Sequence, residues 1–282
     1  FTKVILKYQS DLNVFLKIAN KYFKGRQIKQ FKKWVGLLNY WKNKYPVMEK
    51  KYLKEKNGIN SFHFIDSLSK SLKGNETIVT DMGTSFTCTM QGFKIKNYNR
   101  QRLFTSSGLA AMGFGLPGAI GSYYADKKSN IICITGDGGL MFNIQELQTV
   151  SHYKIPMKIF ILENQGYLTM KIMQKKNFKR LLGSTKGSGI SFPNFKKIAK
   201  TFNLKYFKLQ KNSIENQIKK IINLSTPALI EVNMPPEQPL IPRTQNKLLA
   251  DGTFYTPRLD DLYPHLSNSN LKNERLKAIK IK

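Results

Sequence analysis

The sequence predicts an α/β protein in which a doubly wound parallel sheet is covered by helices on both faces. Nearly continuous apolar runs, such as Ile131 to Ile134, alternate along the chain with segments of helical spacing. Strands that are apolar on both sides are typical of buried parallel sheets. With 282 residues, of which 41% are hydrophobic, the chain is long enough to bury a sizeable core.

The elements follow in order along the chain. Apolar residues recur at helical spacing before Pro46, which predicts a helix over residues 28–46. Further helices are predicted at 59–72, after 108–125, and at 143–153, 192–203 and 213–224. Strands are predicted at 76–83, 129–139, 157–164, 205–209 and 227–234. Ligands of such a sheet bind at the carboxyl ends of its strands, so those ends are where a functional site is expected.

The formal net charge of +30 is the strongest compositional signal. Such a charge favours a nucleic-acid partner. However, the lysines are spread along the whole chain and accompany no aromatic-interleaved basic motif or zinc-ligand spacing. The abundance of Asn, Ile, Phe and Tyr favours AT-rich codon usage instead. We therefore predict no nucleic-acid partner.

The expected location is the cytoplasm. No apolar stretch approaches eighteen residues, and the first residues do not have the pattern of a signal peptide, which predicts no membrane association. Cys88 and Cys133 are too few for a disulfide framework, and Cys133 lies within an apolar strand. A reducing compartment is the simplest interpretation.

Asp137 lies between Gly136 and Gly138 where a central strand is predicted to end and a helix to begin. Helix N-termini favour anions, but a carboxylate at this point would repel a phosphate. A Mg²⁺ ion between them removes the conflict, because Mg²⁺ takes oxygen ligands from one or two protein groups together with phosphates. Asn164 ends the next strand and offers an amide oxygen. The two strand ends together predict a metal and phosphate site.

These residues resemble a known motif. GDGG, followed by ENQGY, is similar to the thiamine-diphosphate motif, in which an asparagine follows GDG by some 25 residues. The stretches TDMGTSFTCTM and RLFTSSGLAAMGFGLPGAIG, read together with that motif, resemble the C-terminal third of the acetolactate synthase large-subunit group. The resemblance covers residues 47–242, which would be a domain that binds thiamine diphosphate and Mg²⁺. Residues 1–27 would end a preceding domain, 28–46 form a linker helix and 243–282 a C-terminal tail.

The resemblance implies roles for particular residues. Asp137 and Asn164 would bind Mg²⁺ through their side chains, and Gly166 through its carbonyl oxygen. Met112 would be the catalytic apolar residue that supports the cofactor in its bent shape. The other cofactor-binding residues would be Gly83, Thr84, Ser85, Gly108, Ala110, Gly136, Gly138, Gly139, Leu140, Gln165 and Tyr167. The reaction would remove CO₂ from a 2-keto acid and join the remaining carbon to a second carbonyl or a proton.

Other polar residues are less favoured as site residues. Glu163 precedes Asn164 on the strand, so its side chain should point to the opposite face. His63 is expected to be packed or on the surface rather than catalytic. His152 and His265 are expected on the surface.

Some segments depart from the acetolactate synthases. Glu163 replaces the first of two asparagines, TSFTCTM replaces a Gln-His and Met-Trp segment, and Ile172 or Met173 stands where a tryptophan would select the acceptor. Other segments resemble acetolactate synthase-like proteins of surface-polysaccharide and unusual-sugar pathways. Our first interpretation is a carboligase or decarboxylase of that group, acting on a 2-keto acid such as pyruvate. A biosynthetic acetolactate synthase is second, and a basic binding module without catalysis is the alternative of another class.

In the family that this chain resembles, a glutamate from a separate N-terminal pyrimidine-binding domain completes the site, and the cofactor lies between subunits. Residues 1–46 are too few to supply such a domain. We therefore expect the chain to hold half of an active site and to work with that domain or subunit in a homodimer or homotetramer.

Overall fold

A computed structural model describes residues 6–26, 31–249 and 251–280 of the chain. It divides into two compact units. The described residues of the smaller unit fall within 1–46 and 267–282, and those of the larger unit fall within 47–266. The functional residues that the sequence predicts all lie in the larger unit.

Helices and strands alternate along most of the described chain. The helices are α1 (Leu12–Phe23), α2 (Lys32–Lys44), α3 (Ser61–Ser71), α4 (Thr84–Gly92), α5 (Gly115–Ala125), α6 (Asp137–Met141), α7 (Glu146–His152), α8 (Leu168–Phe178), α9 (Phe195–Thr201), α10 (Ile214–Ile222) and α11 (Asn268–Ile279), with 3₁₀ turns at Lys50–Lys54 and Lys186–Ser188. The strands are β1 (Glu76–Thr80), β2 (Arg102–Phe104), β3 (Asn130–Gly136), β4 (Lys158–Glu163), β5 (Lys205–Lys208), β6 (Ala228–Asn233), β7 (Lys247–Leu248) and β8 (Phe254–Tyr255). In the described part of the chain, no helix is long and apolar enough to span a bilayer.

The first six strands form one sheet in the order β2-β1-β3-β4-β6-β5, and every pairing in it is parallel. The predicted fold class is confirmed. Strands β3 and β4 are neighbours, with Gly136 opposite Leu162. Their carboxyl ends, which carry the predicted metal ligands, therefore lie side by side.

Buried apolar side chains of the sheet form one core on each face. On β3, Ile132 and Ile134 pack in the core that includes α3 and α10. Ile131 and Cys133 pack in the opposite core, together with residues of α5 and α9. Fully burying one such aliphatic side chain stabilises the fold by roughly 1.5–3 kcal/mol. Coverage on both faces explains why the strands are uninterrupted apolar runs.

Both cysteines are buried free thiols, Cys88 on α4 and Cys133 on β3. Burial raises the pKa of the Cys88 thiol to about 12. Burial also raises the pKa of the Cys133 thiol. Thiols in this state are poor nucleophiles, so both act as small apolar residues.

Several elements differ from the prediction. The helix expected after residues 108–125 lies inside that segment, as α5. The sequence gives no sign of β2, which has only three residues, or of α4. Helix α8 was also missed, because it buries only Leu168 and Lys171 and so lacks a continuous apolar face. The segment 243–282 contains the antiparallel pair β7-β8 and helix α11.

In the smaller unit, α2 covers most of the predicted linker helix, whose residues 28–30 lie outside the described part of the chain. The Trp41 indole donates a hydrogen bond to Glu274 of α11 at 2.8 Å, and Lys44 forms an ion pair with the same carboxylate at 2.6 Å. Helix α1 buries none of its residues.

Candidate functional site

Asp137 lies at the carboxyl end of β3, where α6 begins. Three backbone amides hold its carboxylate. One oxygen accepts a hydrogen bond from the Gly138 amide at 2.7 Å, and the other accepts from the amides of Asn164 and Gly166 at 3.1 and 3.2 Å. The carboxylate therefore has a fixed position that joins the ends of β3 and β4.

The environment of Asp137 favours a cation. Its side chain is buried, with 2% of the residue exposed, and burial raises its pKa to about 6, although the three amides oppose this effect. Among the described residues, no lysine, arginine or histidine forms an ion pair with it. Buried carboxylates are normally paired with a positive charge or coordinate a metal.

Asn164 supplies a second oxygen to the same place. It is buried, and its side-chain oxygen has no hydrogen-bond partner among the described residues. Buried polar atoms of this kind nearly always have a partner, so an unpaired one calls for a missing ligand. A carboxylate and an amide oxygen are the hard ligands that Mg²⁺ prefers. The residues present therefore fit a magnesium ion.

Several glycines around Asp137 pack so closely against neighbouring atoms that a side chain would not fit at their positions. A Cβ added at Gly138 would collide with the ring of Tyr167, and one at Gly139 would meet the Asp81 carboxylate at 2.7 Å. Gly166 has φ of 154°, and a Cβ there would collide with the Ser184 carbonyl oxygen. Only glycine fits these positions, so backbone rather than side chains lines this part of the site.

These residues line one cavity of about 380 Å³. It includes eleven of the residues that the resemblance implies, from the ends of three strands and the loop before α5. They are Gly83, Thr84, Ala110, Met112, Gly136, Asp137, Gly138, Gly139, Asn164, Gly166 and Tyr167. Met112 is 36% exposed at the wall of this cavity.

Four of the implied residues do not line the cavity. Ser85 is buried and its hydroxyl donates to the Met82 carbonyl at 2.9 Å. Leu140 is buried in the core, and Gly108 is exposed. Gln165 has a left-handed backbone with φ of 61° and lines a different cavity.

The residues that the sequence disfavours as ligands lie elsewhere. Glu163 lines the cavity that contains Gln165, and burial raises its pKa. His63 is packed on α3 and His152 is exposed, as expected. The expectation for His265 was wrong, because it is half-buried and hydrogen-bonded to Asp261 at 2.9 Å. No group of three or more His, Cys, Asp and Glu in the described chain could hold a metal.

Sequence reasoning missed Asp81, which follows β1 and is buried with 1% exposure. Its carboxylate accepts hydrogen bonds from the Met82 amide and the Thr135 hydroxyl, so it joins the ends of β1 and β3. Its place near the carboxyl end of the strand predicted at 76–83 was a usable signal. The cavity is completed by residues of α4 and α8 and their flanks that the sequence did not indicate: Met82, Phe86, Thr87, Leu168, Thr169 and Met170.

Comparison with known proteins agrees with this geometry. The family model of the C-terminal TPP-binding domain of thiamine pyrophosphate enzymes matches residues 81–232, where thiamine pyrophosphate is the diphosphate cofactor named above. A chloroplastic acetolactate synthase 2 of Zea mays is 30% identical over 244 residues, which are 83% of this chain and 37% of that protein.

Two further relatives come from microorganisms. A probable acetolactate synthase large subunit of Methanococcus aeolicus is 31% identical over 221 residues, covering 78% of this chain and 34% of the relative. The acetolactate synthase isozyme 1 large subunit of Escherichia coli strain K12 is 34% identical over 187 residues, which are 65% of this chain and 32% of the relative. The chain therefore spans about a third of the length of the relatives it matches.

Proposed function

Because the chain belongs to the thiamine pyrophosphate enzymes, through their C-terminal TPP-binding domain, we propose that it binds thiamine diphosphate and Mg²⁺ in the cavity around Asp137. The complete protein would be a carboligase or decarboxylase that acts on a 2-keto acid such as pyruvate. When bound, the cofactor supplies an electron sink that lets the carboxylate of the keto acid leave as CO₂.

The observation that carries this proposal is the side-chain oxygen of Asn164, which has no partner among the described residues and belongs to the same cavity lining as the amide-held carboxylate of Asp137. Both would bind Mg²⁺, with the Gly166 carbonyl as a third ligand. Gly138 and Gly139 open the α6 N-terminus to the diphosphate, whose charge the metal offsets. The chain's own task here is to anchor and orient the cofactor.

Met112 has a separate task in the proposal. Its side chain lies at the wall of the same cavity and is free of the core. We assign it the support of the cofactor's rings, whereas Asp137 and Asn164 hold the charged end. Its role is catalytic because it would contact the reacting part of the cofactor.

The complete protein would contain a pyrimidine-binding domain that supplies the catalytic glutamate, in the same polypeptide or as a separate subunit. It would assemble as a homodimer or homotetramer in the cytoplasm. Acetolactate synthase-like chemistry in unusual-sugar or surface-polysaccharide synthesis remains our first assignment. Biosynthetic acetolactate synthesis is the second, and the names of the relatives favour it.

Titration calorimetry with thiamine diphosphate, with and without Mg²⁺, tests the cofactor assignment. We expect binding that requires Mg²⁺ in the wild type and no Mg²⁺-dependent binding in Asp137→Ala. Glu163→Ala is the matched control, because it removes a neighbouring carboxylate that lines a different cavity. Equal affinity in wild type and Asp137→Ala would refute the metal assignment.

Release of labelled CO₂ from pyruvate and related keto acids tests the reaction. We expect none from residues 1–282 alone and release once the pyrimidine-binding domain is added. Robust release of CO₂ by the isolated chain would contradict the proposal that a pyrimidine-binding domain completes the active site. No release by the completed protein with any keto acid, together with steeply salt-dependent nucleic-acid binding, would favour the basic binding module.

A further inference from the structure

A third cavity, of about 490 Å³, lies between α8 and the C-terminal segment of the larger unit. Helix α8 contributes Met173 and Lys176, and the segment before β7 contributes Arg243 and Gln245. None of the described residues that line it is acidic. Two cations without an opposing carboxylate give the cavity a positive potential that favours an anion.

Arg243 has hydrogen-bonding capacity that the described chain does not use. One of its terminal nitrogens donates to the Gln245 side chain at 2.9 Å, but its Nε is buried and has no partner. A buried N–H donor without an acceptor lowers the stability of the fold, and an oxygen atom of a bound ligand would remove that cost. The guanidinium fork matches the paired oxygens of a phosphate or carboxylate.

Lys176 is also available for a ligand. It forms no ion pair with any described residue, whereas its neighbour Lys175 is paired with Glu237 at 2.8 Å. The helix thus carries two adjacent lysines, of which one is in an ion pair and the other is not. Lys175 is neutralised outside the cavity, and Lys176 lines it.

Helix α8 contributes residues to this cavity and to the cavity around Asp137. Thr169 and Met170 line the cavity around Asp137, where we place the cofactor, and Met173 lines the cavity that contains Lys176 and Arg243. Three residues of helix correspond to about 4.5 Å along the axis. A molecule held by Lys176 and Arg243 could therefore extend toward the cofactor cavity.

We propose that Lys176 and Arg243 bind the phosphate group of the acceptor substrate. This inference rests on the proposed function. The acceptor would be a phosphorylated aldehyde or ketone, since two positive charges match a phosphate dianion better than a single carboxylate. The donor keto acid loses CO₂, its acyl carbon forms a bond with the acceptor's carbonyl carbon, and the acceptor's carbonyl oxygen takes a proton. The phosphate stays intact and serves only for binding.

Protection of lysines from acetic anhydride, read by peptide mass spectrometry on the 282-residue chain, tests the anion site. Inorganic phosphate is the probe, acetate the carboxylate comparison and chloride the control for ionic strength. We expect phosphate to slow acetylation of Lys176 at least threefold, acetate to slow it less, and Lys175 to be unaffected. Equal protection of both lysines, or protection by chloride, would overturn the proposal.

Arg243→Gln should abolish the protection of Lys176, whereas Arg258→Gln should preserve it, because Arg258 is an exposed arginine of the same segment that does not line the cavity. Circular dichroism verifies that the variants are folded. If Arg243→Gln does not fold, Arg243→Lys keeps the charge without the fork and should give partial protection. Protection equal to wild type in the folded variant used would overturn the proposal.

The two proposals can fail separately. Absent phosphate protection with intact Mg²⁺-dependent cofactor binding would overturn this inference alone. Absent cofactor binding with intact protection would overturn the proposed function, and with it the acceptor role of the anion site.

Discussion

Both carboxylate oxygens of Asp81 accept a hydrogen bond from the backbone amide of Gly113, at 3.0 and 3.1 Å. Gly113 directly follows Met112, so a buried side chain at the end of β1 holds the loop that carries Met112. Gly113 has φ of 86°, and its carbonyl accepts from the Asn143 side chain at 2.9 Å. Hydrogen bonds to two buried or partly buried side chains, Asp81 and Asn143, therefore hold this part of the wall of the cavity around Asp137.

Replacing Asp81 with alanine should release this loop. We expect the free energy of unfolding to fall by at least ~2 kcal/mol, since each orphaned buried donor costs roughly 1–3 kcal/mol. Urea unfolding measures the loss, and hydrogen exchange at the Gly113 amide should accelerate. Asp126→Ala, which removes an exposed carboxylate that accepts from the Lys128 amide, is the control. Unchanged Gly113 exchange would contradict the anchoring role.

Gly138→Ala should destabilise the apo protein, because the new methyl group collides with the Tyr167 ring. Overpacking of this kind costs about 1–3 kcal/mol. The double variant with Tyr167→Leu should recover part of the loss, which a double-mutant cycle by urea unfolding would measure. Gly136→Ala is the control, since a Cβ there meets nothing within 4 Å. Additive effects of the two substitutions would show that the ring is not the obstacle.

Met112→Ala should separate anchoring from turnover. In the completed protein, affinity for Mg²⁺ and thiamine diphosphate should change little, because our proposal assigns the charged end of the cofactor to Asp137 and Asn164. We expect kcat to fall about tenfold or more, equivalent to ~1.4 kcal/mol of transition-state stabilisation. Steady-state kinetics and calorimetry measure the two quantities, and Met90→Ala on the exposed side of α4 is the control. Wild-type kcat in Met112→Ala would remove its catalytic role.

His63 should make stability depend on pH. Burial lowers the pKa of His63 below its usual value of 6.5. As the pH falls below 6.5, the unfolded chain binds the proton first, so the free energy of unfolding decreases. His63→Gln should show a smaller decrease between about pH 7.5 and 5.5 in urea unfolding. His152→Gln, at an exposed position, should retain the wild-type decrease, and an unaltered slope in His63→Gln would contradict the assignment.

The sequence was sufficient for the parts of the site that follow from strand ends. Apolar runs located β3 and β4, and adjacent parallel strands must end at the same edge, so the pairing of Asp137 with Asn164 could be predicted from sequence alone. The glycines around Asp137 were predicted for the same reason, because close backbone approach needs them.

Other parts depend on packing that local sequence does not encode. Ser85 and Leu140 follow cavity residues in the chain, but the turn of each helix directs their side chains inward. Asp81 was overlooked because its partners are 32 and 54 residues away in sequence, at Gly113 and Thr135. The contribution of α8 was missed because its exposed apolar residues do not show the period of an ordinary surface helix.

The long sequence separations within the sheet also determine when the site can exist. Asp137 reaches the Asn164 amide across 27 residues, and Asp81 reaches Thr135 across 54. Closing such loops costs entropy that is recovered only when the parallel strands pair. During synthesis, the proposed metal ligands cannot meet until β4 and Gly166 have left the ribosome and paired with β3. Metal and cofactor binding would thus occur late in biogenesis, because only chains in which β3 and β4 have paired present the complete set of proposed ligands.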